Sequence, residues 1–104
     1  MKKICCVLLA MLPLSAFAYP IDVEKHLNDL KIDYTTYATD YDMGSITLNN
    51  YGDKAADCKV IFRNGPESPR TRRVSVEPGR SAELSAKFSR KIIKLYLTVT
   101  CTPK

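Results

Sequence analysis

The residues best equipped for chemistry in this 104-residue chain are few: four cysteines, one histidine and a run rich in arginine. Cys5 and Cys6 sit near the start, so Cys58 and Cys101 form an isolated pair in the body of the chain. In an oxidising compartment such a pair reads as one disulfide. The alternative is a metal or redox pair. Against it, the chain has no C-x-x-C, and His26, the lone histidine, leaves a four-ligand zinc site incomplete. On the chain-entropy model a disulfide closing a loop of this length contributes about 4 kcal/mol, less any strain.

The arginines are concentrated in Arg63-Asn64-Gly65-Pro66-Glu67-Ser68-Pro69-Arg70-Thr71-Arg72-Arg73, whose first half is a loop by its prolines and glycine. Arg63, Arg70, Arg72 and Arg73 suit bidentate contacts with the phosphates or sulfates of an anionic glycolipid such as lipopolysaccharide. The other reading is that basic side chains guard strand edges against pairing with other chains. Nucleic acid is a poor fit as partner, because no aromatic stacking motif is interleaved with the arginines. Asp40-Tyr41-Asp42-Met43-Gly44 resembles the start of a calcium loop. An EF-hand needs glycine sixth and glutamate twelfth, whereas here glycine is fifth and Tyr51 twelfth, which leaves a plain turn. His26 has no nucleophile motif beside it and reads as a surface residue. With no G-x-G-x-x-G, no P-loop and no acid, base and nucleophile set, the expectation is no catalytic residue, no metal, no cofactor and no enzyme activity.

These residues must be held by something, and the first 18 positions do not hold them. Lys2 and Lys3 precede an apolar run from Ile4 to Leu14, and Ser15-Ala16-Phe17-Ala18 ends it with small residues at Ala16 and Ala18. Residues 1–18 therefore read as a cleaved signal peptide. An uncleaved anchor is the alternative, but the run falls short of the ~20 apolar residues that span a bilayer. Cys5 and Cys6 stand too early for lipid attachment. The expectation is a single mature domain, residues 19–104, with no transmembrane segment, in the periplasm or secreted. Cleavage removes the charges of Lys2 and Lys3 from the formal +5. What remains is uneven: residues 19–57 set three lysines against eight carboxylates, and residues 58–104 set eleven basic residues against Glu67, Glu77 and Glu83. The two halves could pair within the fold or associate head to tail.

From residue 44 onward apolar residues recur with period two: Ile46 and Leu48; Cys58, Val60 and Phe62; Val74 and Val76; Ala82, Leu84, Ala86 and Phe88; Ile93, Leu95, Leu97, Val99 and Cys101. Turn signals stand between them, with Pro78-Gly79 suited to a type II turn. This pattern predicts antiparallel strands with one buried face. If Cys58 stands opposite Cys101, then Val60 faces Val99 and Phe62 faces Leu97, and a slip of one residue would turn a core face outward. Pairing of the two strands within one sheet, or across a sandwich, satisfies the disulfide equally. Tyr34 to Thr39 is rich in strand formers and predicts an opening strand. Before it, Val23, Leu27 and Leu30 have i, i+4, i+7 spacing behind Asp22, which permits a short N-terminal helical turn.

About six strands and one disulfide predict an all-β fold, a small antiparallel β-sandwich of immunoglobulin-like type, with a closed barrel as the alternative. The block Leu48-Asn49-Asn50-Tyr51-Gly52-Asp53, Cys58, Phe62-Arg63-Asn64-Gly65-Pro66-Glu67, Pro78-Gly79 and Cys101 resembles an uncharacterised family of short exported proteins of Gram-negative bacteria. Some of its members carry a 3-phosphoglycerate kinase label, which a short exported chain without a nucleotide-binding loop does not fit. More distantly, the pattern is similar to immunoglobulin-like domains of bacterial envelope proteins. Neither resemblance implies a catalytic residue. The functional expectation is a non-enzymatic binder of another envelope component or protein. The alternatives are an anionic-ligand module built on the arginines, or a hydrolase inhibitor presenting the loop at 64–70.

Overall fold

Alternating apolar and polar residues give a strand one dry face, and dry faces are buried by stacking two sheets. The computed structural model describes residues 19–104 and places seven strands there: β1 (Ile21–His26), β2 (Ile32–Asp40), β3 (Met43–Asn50), β4 (Ala56–Arg63), β5 (Arg70–Val76), β6 (Ser81–Lys87) and β7 (Leu95–Pro103). The expected leader at 1–18 lies outside the described residues. The strands form a four-stranded sheet, β1-β7-β4-β5, and a three-stranded sheet, β2-β3-β6. Ile46 and Leu48 from one sheet and Val60, Phe62, Val76, Leu95, Leu97 and Val99 from the other are the buried centre. The fold is a small all-β sandwich.

The disulfide and the alternation fix one register. Cys58 stands opposite Cys101, Val60 opposite Val99 and Phe62 opposite Leu97, as the apolar pattern requires. The Cys58–Cys101 bond joins neighbouring strands of one sheet with Cα atoms 4.1 Å apart, and both cysteines are buried. Pro78-Gly79 makes its turn: Gly79 has φ of 75° and the Arg80 N–H donates to the Glu77 carbonyl at 3.0 Å. A backbone without a side chain is also required at Gly44, where an added Cβ would collide with Leu95 of the facing sheet.

Three expectations need correction. Among the described residues there is no helical turn near Asp22; residues 21–26 are a strand, and the count rises from about six to seven. Helical spacing misled because Leu27 and Leu30 are the ends of a tight turn, with the Leu30 N–H donating to the Leu27 carbonyl at 3.0 Å. Both leucines pack against the core from there. Ile93 does not join the buried face of β7: it is 75% exposed, while Ile92 is buried and Leu95 starts the strand. The chain between Phe88 and Lys94 is irregular, so alternation does not extend through it.

Candidate functional site

The arginine run is divided by the pleat of β5. Period two turns Arg70 and Arg72 to the inward side with Val74 and Val76, and Thr71, Arg73 and Ser75 to the outer face. Arg72 Nε donates to the Ser85 carbonyl at 3.1 Å, and Arg70 Nε donates to the Lys87 carbonyl at 3.3 Å. The Arg70 guanidinium also lies over the Phe88 ring, 5.0 Å from its centroid. These two side chains therefore join the edge of β5 to the edge of β6 and close that side of the sandwich. Arg63 extends over the outer face of β4 toward Thr98 Oγ1 at 3.4 Å. The four arginines do not form one cluster, and Arg73 finds its basic neighbour in Lys59, directly opposite on β4.

The loop before β5 is held from behind. Glu67 accepts hydrogen bonds from the N–H groups of Ser89 at 2.9 Å and Arg90 at 3.1 Å and from Asn64 Nδ2 at 2.9 Å, with Arg70 at 3.8 Å. The Ser89 bond is the largest cause holding its carboxyl below the usual carboxylate range, with Arg90, Asn64 and Arg70 adding and partial desolvation opposing. The loop at 64–70 is thus tied to the chain between β6 and β7 rather than projecting freely.

Two shallow depressions lie on the outer face of the four-stranded sheet. The larger, about 600 Å³, is lined by Lys59, Arg73, Asp57, Ser75, Thr100 and Thr102 among others. The side chains of Lys59 and Arg73 form no ion pair or hydrogen bond among the described residues, so this floor offers two cations beside Thr100 and Thr102, with Asp57 bonded to Ser75 at 2.6 Å. The smaller, about 280 Å³, brings Asp22, Glu24, Arg63, Tyr96 and Thr98 together and is of mixed sign.

The four strand edges differ more than the faces do. β5 and β6 are joined by arginine, and β1 is short and carries Asp22, Glu24, Lys25 and His26. β2 is nine residues long, and its stretch Tyr34-Thr35-Thr36-Tyr37-Ala38-Thr39 contains no charge, proline or glycine. It pairs with β3 on one side, and among the described residues nothing pairs with its other side. A bulge between Ala38 and Asp40 is its one irregularity. Of the devices that proteins use to guard edges, β2 has only this bulge near its end, which leaves Tyr34 to Thr39 the least guarded stretch.

His26 ends β1, exposed, within 3.1 Å of Glu24 Oε2. Asp40 and Asp42 flank the turn between β2 and β3, where Asp42 is buried and paired with Lys87 at 3.4 Å. Among the described residues no three His, Cys, Asp or Glu side chains are set to hold a metal ion, and no helix is long and apolar enough to cross a membrane. Sequence reasoning singled out neither Lys59 nor Glu67. Lys59 is legible once β5 is paired with β4, since its partner there is Arg73. A scan against family models finds none that matches the chain, and a search of curated proteins finds no match either.

Proposed function

We propose that this chain is a non-enzymatic exported β-sandwich, in the periplasm or outside the cell, that binds an envelope protein by adding the partner's strand to the edge of β2. The least guarded stretch, on the edge of β2, carries this reading: main-chain groups supply the affinity, and side chains on alternate faces supply the selectivity. Asp33 and Asp40 flank the uncharged stretch, so the fitting partner is an extended segment with Lys or Arg at its ends. The test places a photoreactive residue at Tyr37, which is 45% exposed, and irradiates the protein in envelope extracts. A protein adduct is expected, and it should be lost when Thr35→Lys and Thr39→Lys put charges on the edge. Repeated recovery of no adduct, or an adduct that those lysines leave unchanged, rejects the reading.

A second reading rests on the Lys59 and Arg73 pair. Two cations with Thr100 and Thr102 beside them suit a phosphate or sulfate group, such as those of lipopolysaccharide, against the repulsion of Asp57, which holds the Ser75 hydroxyl at 2.6 Å. Retention on an anionic matrix should weaken with salt and with Lys59→Ala plus Arg73→Ala. Retention that survives both substitutions rejects this second use of the molecule.

A further inference from the structure

β1 is attached to the sandwich unlike any other strand. All other neighbouring strands among the described residues run antiparallel, whereas β1 lies parallel to β7, from Ile21 opposite Leu95 to His26 opposite Thr100. It is hydrogen-bonded to β7 alone and forms the outermost strand of its sheet. Its contribution to the core is slight: Ile21 and Val23 are half-buried, and the third inward position is Lys25, whose ammonium lies over the Tyr34 ring of the facing sheet. Two further contacts precede it, from Tyr19 Oη to the Met43 carbonyl at 2.6 Å and from the Leu95 N–H to the Pro20 carbonyl at 3.0 Å.

The connection that keeps β1 in its own molecule is short and conformationally unfavourable. Five residues, Leu27 to Lys31, carry the chain from one sheet to the other. They do so with Asn28 and Asp29 both in the left-handed region, at φ of 51° and 68°. Asn and Asp tolerate that region better than other side chains, but two in succession take on a geometry that glycine adopts freely. Straightening this turn would relieve both backbones at the loss of its Leu30-to-Leu27 bond and of the hydrogen bond from Asn28 Nδ2 to the Cys101 carbonyl at 2.8 Å. Short hinges under strain favour exchange of the element they connect.

Folding order points the same way. Pairing of β1 with β7 joins the two ends of the described chain, so its loop closure is the longest in the molecule. The strands β2 to β7 complete their own ladders through shorter connections. Until β1 docks, the outer side of β7 is an open slot whose register, length and inward contacts are already specified for the sequence of residues 19–26. A second copy carries the same segment.

We propose that β1 exchanges between two copies of this chain, each donating residues 19–26 to the parallel slot beside the other's β7. Every strand contact of β1 is kept in the exchanged dimer, and the Leu27–Leu30 turn opens into an extended linker. A flexible short linker gives its own segment an effective concentration on the order of millimolar. The strained turn lowers that advantage, so exchange is favoured at high chain concentration and during refolding.

The test uses the full-length mature chain with its disulfide intact. Size exclusion with light scattering after refolding at increasing concentration should give a dimer-to-monomer ratio that rises with monomer concentration. Removing residues 28 and 29 should prevent β1 from turning back into its own slot and convert the protein to dimers or longer chains. Should that deletion fail to fold, Glu24→Cys with Thr98→Cys in the full chain answers the same question, because the two positions face each other in the register. Oxidised when dilute, this variant should lock β1 within one chain and remain monomeric on concentration. Concentrated first and then oxidised, it should give disulfide-linked dimers on a non-reducing gel. Purely intrachain bonds at every concentration overturn the proposal. So do dimers that form equally well after the intrachain lock, which would assign association to another surface such as the β2 edge.

Discussion

At the scale of single residues, two polar side chains hold irregular segments of the chain by binding backbone groups. Asn50 is buried in the core, its Nδ2 donates to the carbonyls of Lys54 at 2.7 Å and Val76 at 3.0 Å, and its Oδ1 accepts from the Gly52 N–H at 3.0 Å. Asn50→Ala leaves those groups without partners, and by the usual cost of buried unsatisfied groups it should lower stability by about 2–3 kcal/mol in urea denaturation. Ser75→Ala, which removes one exposed bond to Asp57, should stay within ~0.5 kcal/mol. The sequence shows Asn50 as part of a turn. In the structure β3 runs on to Asn50, which falls two residues beyond Leu48 and so faces the core. Glu67 was hidden for a different reason: its partners are backbone N–H groups of Ser89 and Arg90, and no side-chain pattern announces them. Because its folded pKa is depressed, its contribution is fully present above the ordinary carboxylate range and is lost as pH falls through the lower folded value. Glu67→Gln should therefore be less stable than wild type at pH 7, and the gap between their urea midpoints should narrow on acidification into that range.

At the scale of strands, legibility followed the distance between partners and the purity of the apolar alternation. β4 and β7 were readable because Cys58, Val60 and Phe62 match Cys101, Val99 and Leu97 with no polar interruption, and only one register satisfies all three. β1 was not, because Lys25 interrupts its apolar face and its partner lies at the far end of the chain in a parallel pairing. Here local spacing carries no information, and Val23, Leu27 and Leu30 imitated a helix. The disulfide reinforces the pair of strands that the sequence specifies best. With Cys58 and Cys101 separated by 43 positions in sequence, its effect lies mainly in the unfolded chain, whose freedom it restricts. Cys58→Ala with Cys101→Ala should cost about 3–4 kcal/mol, a large share of the roughly 5–15 kcal/mol typical of a domain. The same variant should keep a far-ultraviolet circular dichroism spectrum of β type at low temperature, because the β4–β7 ladder does not depend on the bond for its register.

At the scale of the whole molecule, the two open sides of the sandwich are treated differently, and the charge asymmetry of the sequence is part of the reason. Lys94 with Asp22 at 3.2 Å and Lys87 with Asp42 at 3.4 Å join the basic half to the acidic half inside one chain. On the β5 and β6 side, Arg70 and Arg72 occupy carbonyls that would otherwise be free to template another strand. On the β1 and β2 side the described residues show the Lys25 ammonium over the Tyr34 ring rather than hydrogen bonds from one edge strand to the other's carbonyls, and both proposed modes of association belong there. The alternation that places Val74 and Val76 inward divides the arginines once it is carried back to residue 70, but a run of charges gives no apolar mark that the strand starts there. Arg72 and Arg73 are adjacent, equally charged and opposite in role, which allows a direct comparison. Arg72→Ala removes a charge-assisted bond to the Ser85 carbonyl and should lower stability by about 1–2 kcal/mol, with more light scattering on warming as the β6 edge opens. Arg73→Ala, on the outer face beside Lys59, should leave stability within ~0.5 kcal/mol and scattering unchanged. Equal losses from the two substitutions would mean that the arginines act only through net charge, and that the closure of this side does not rest on Arg72.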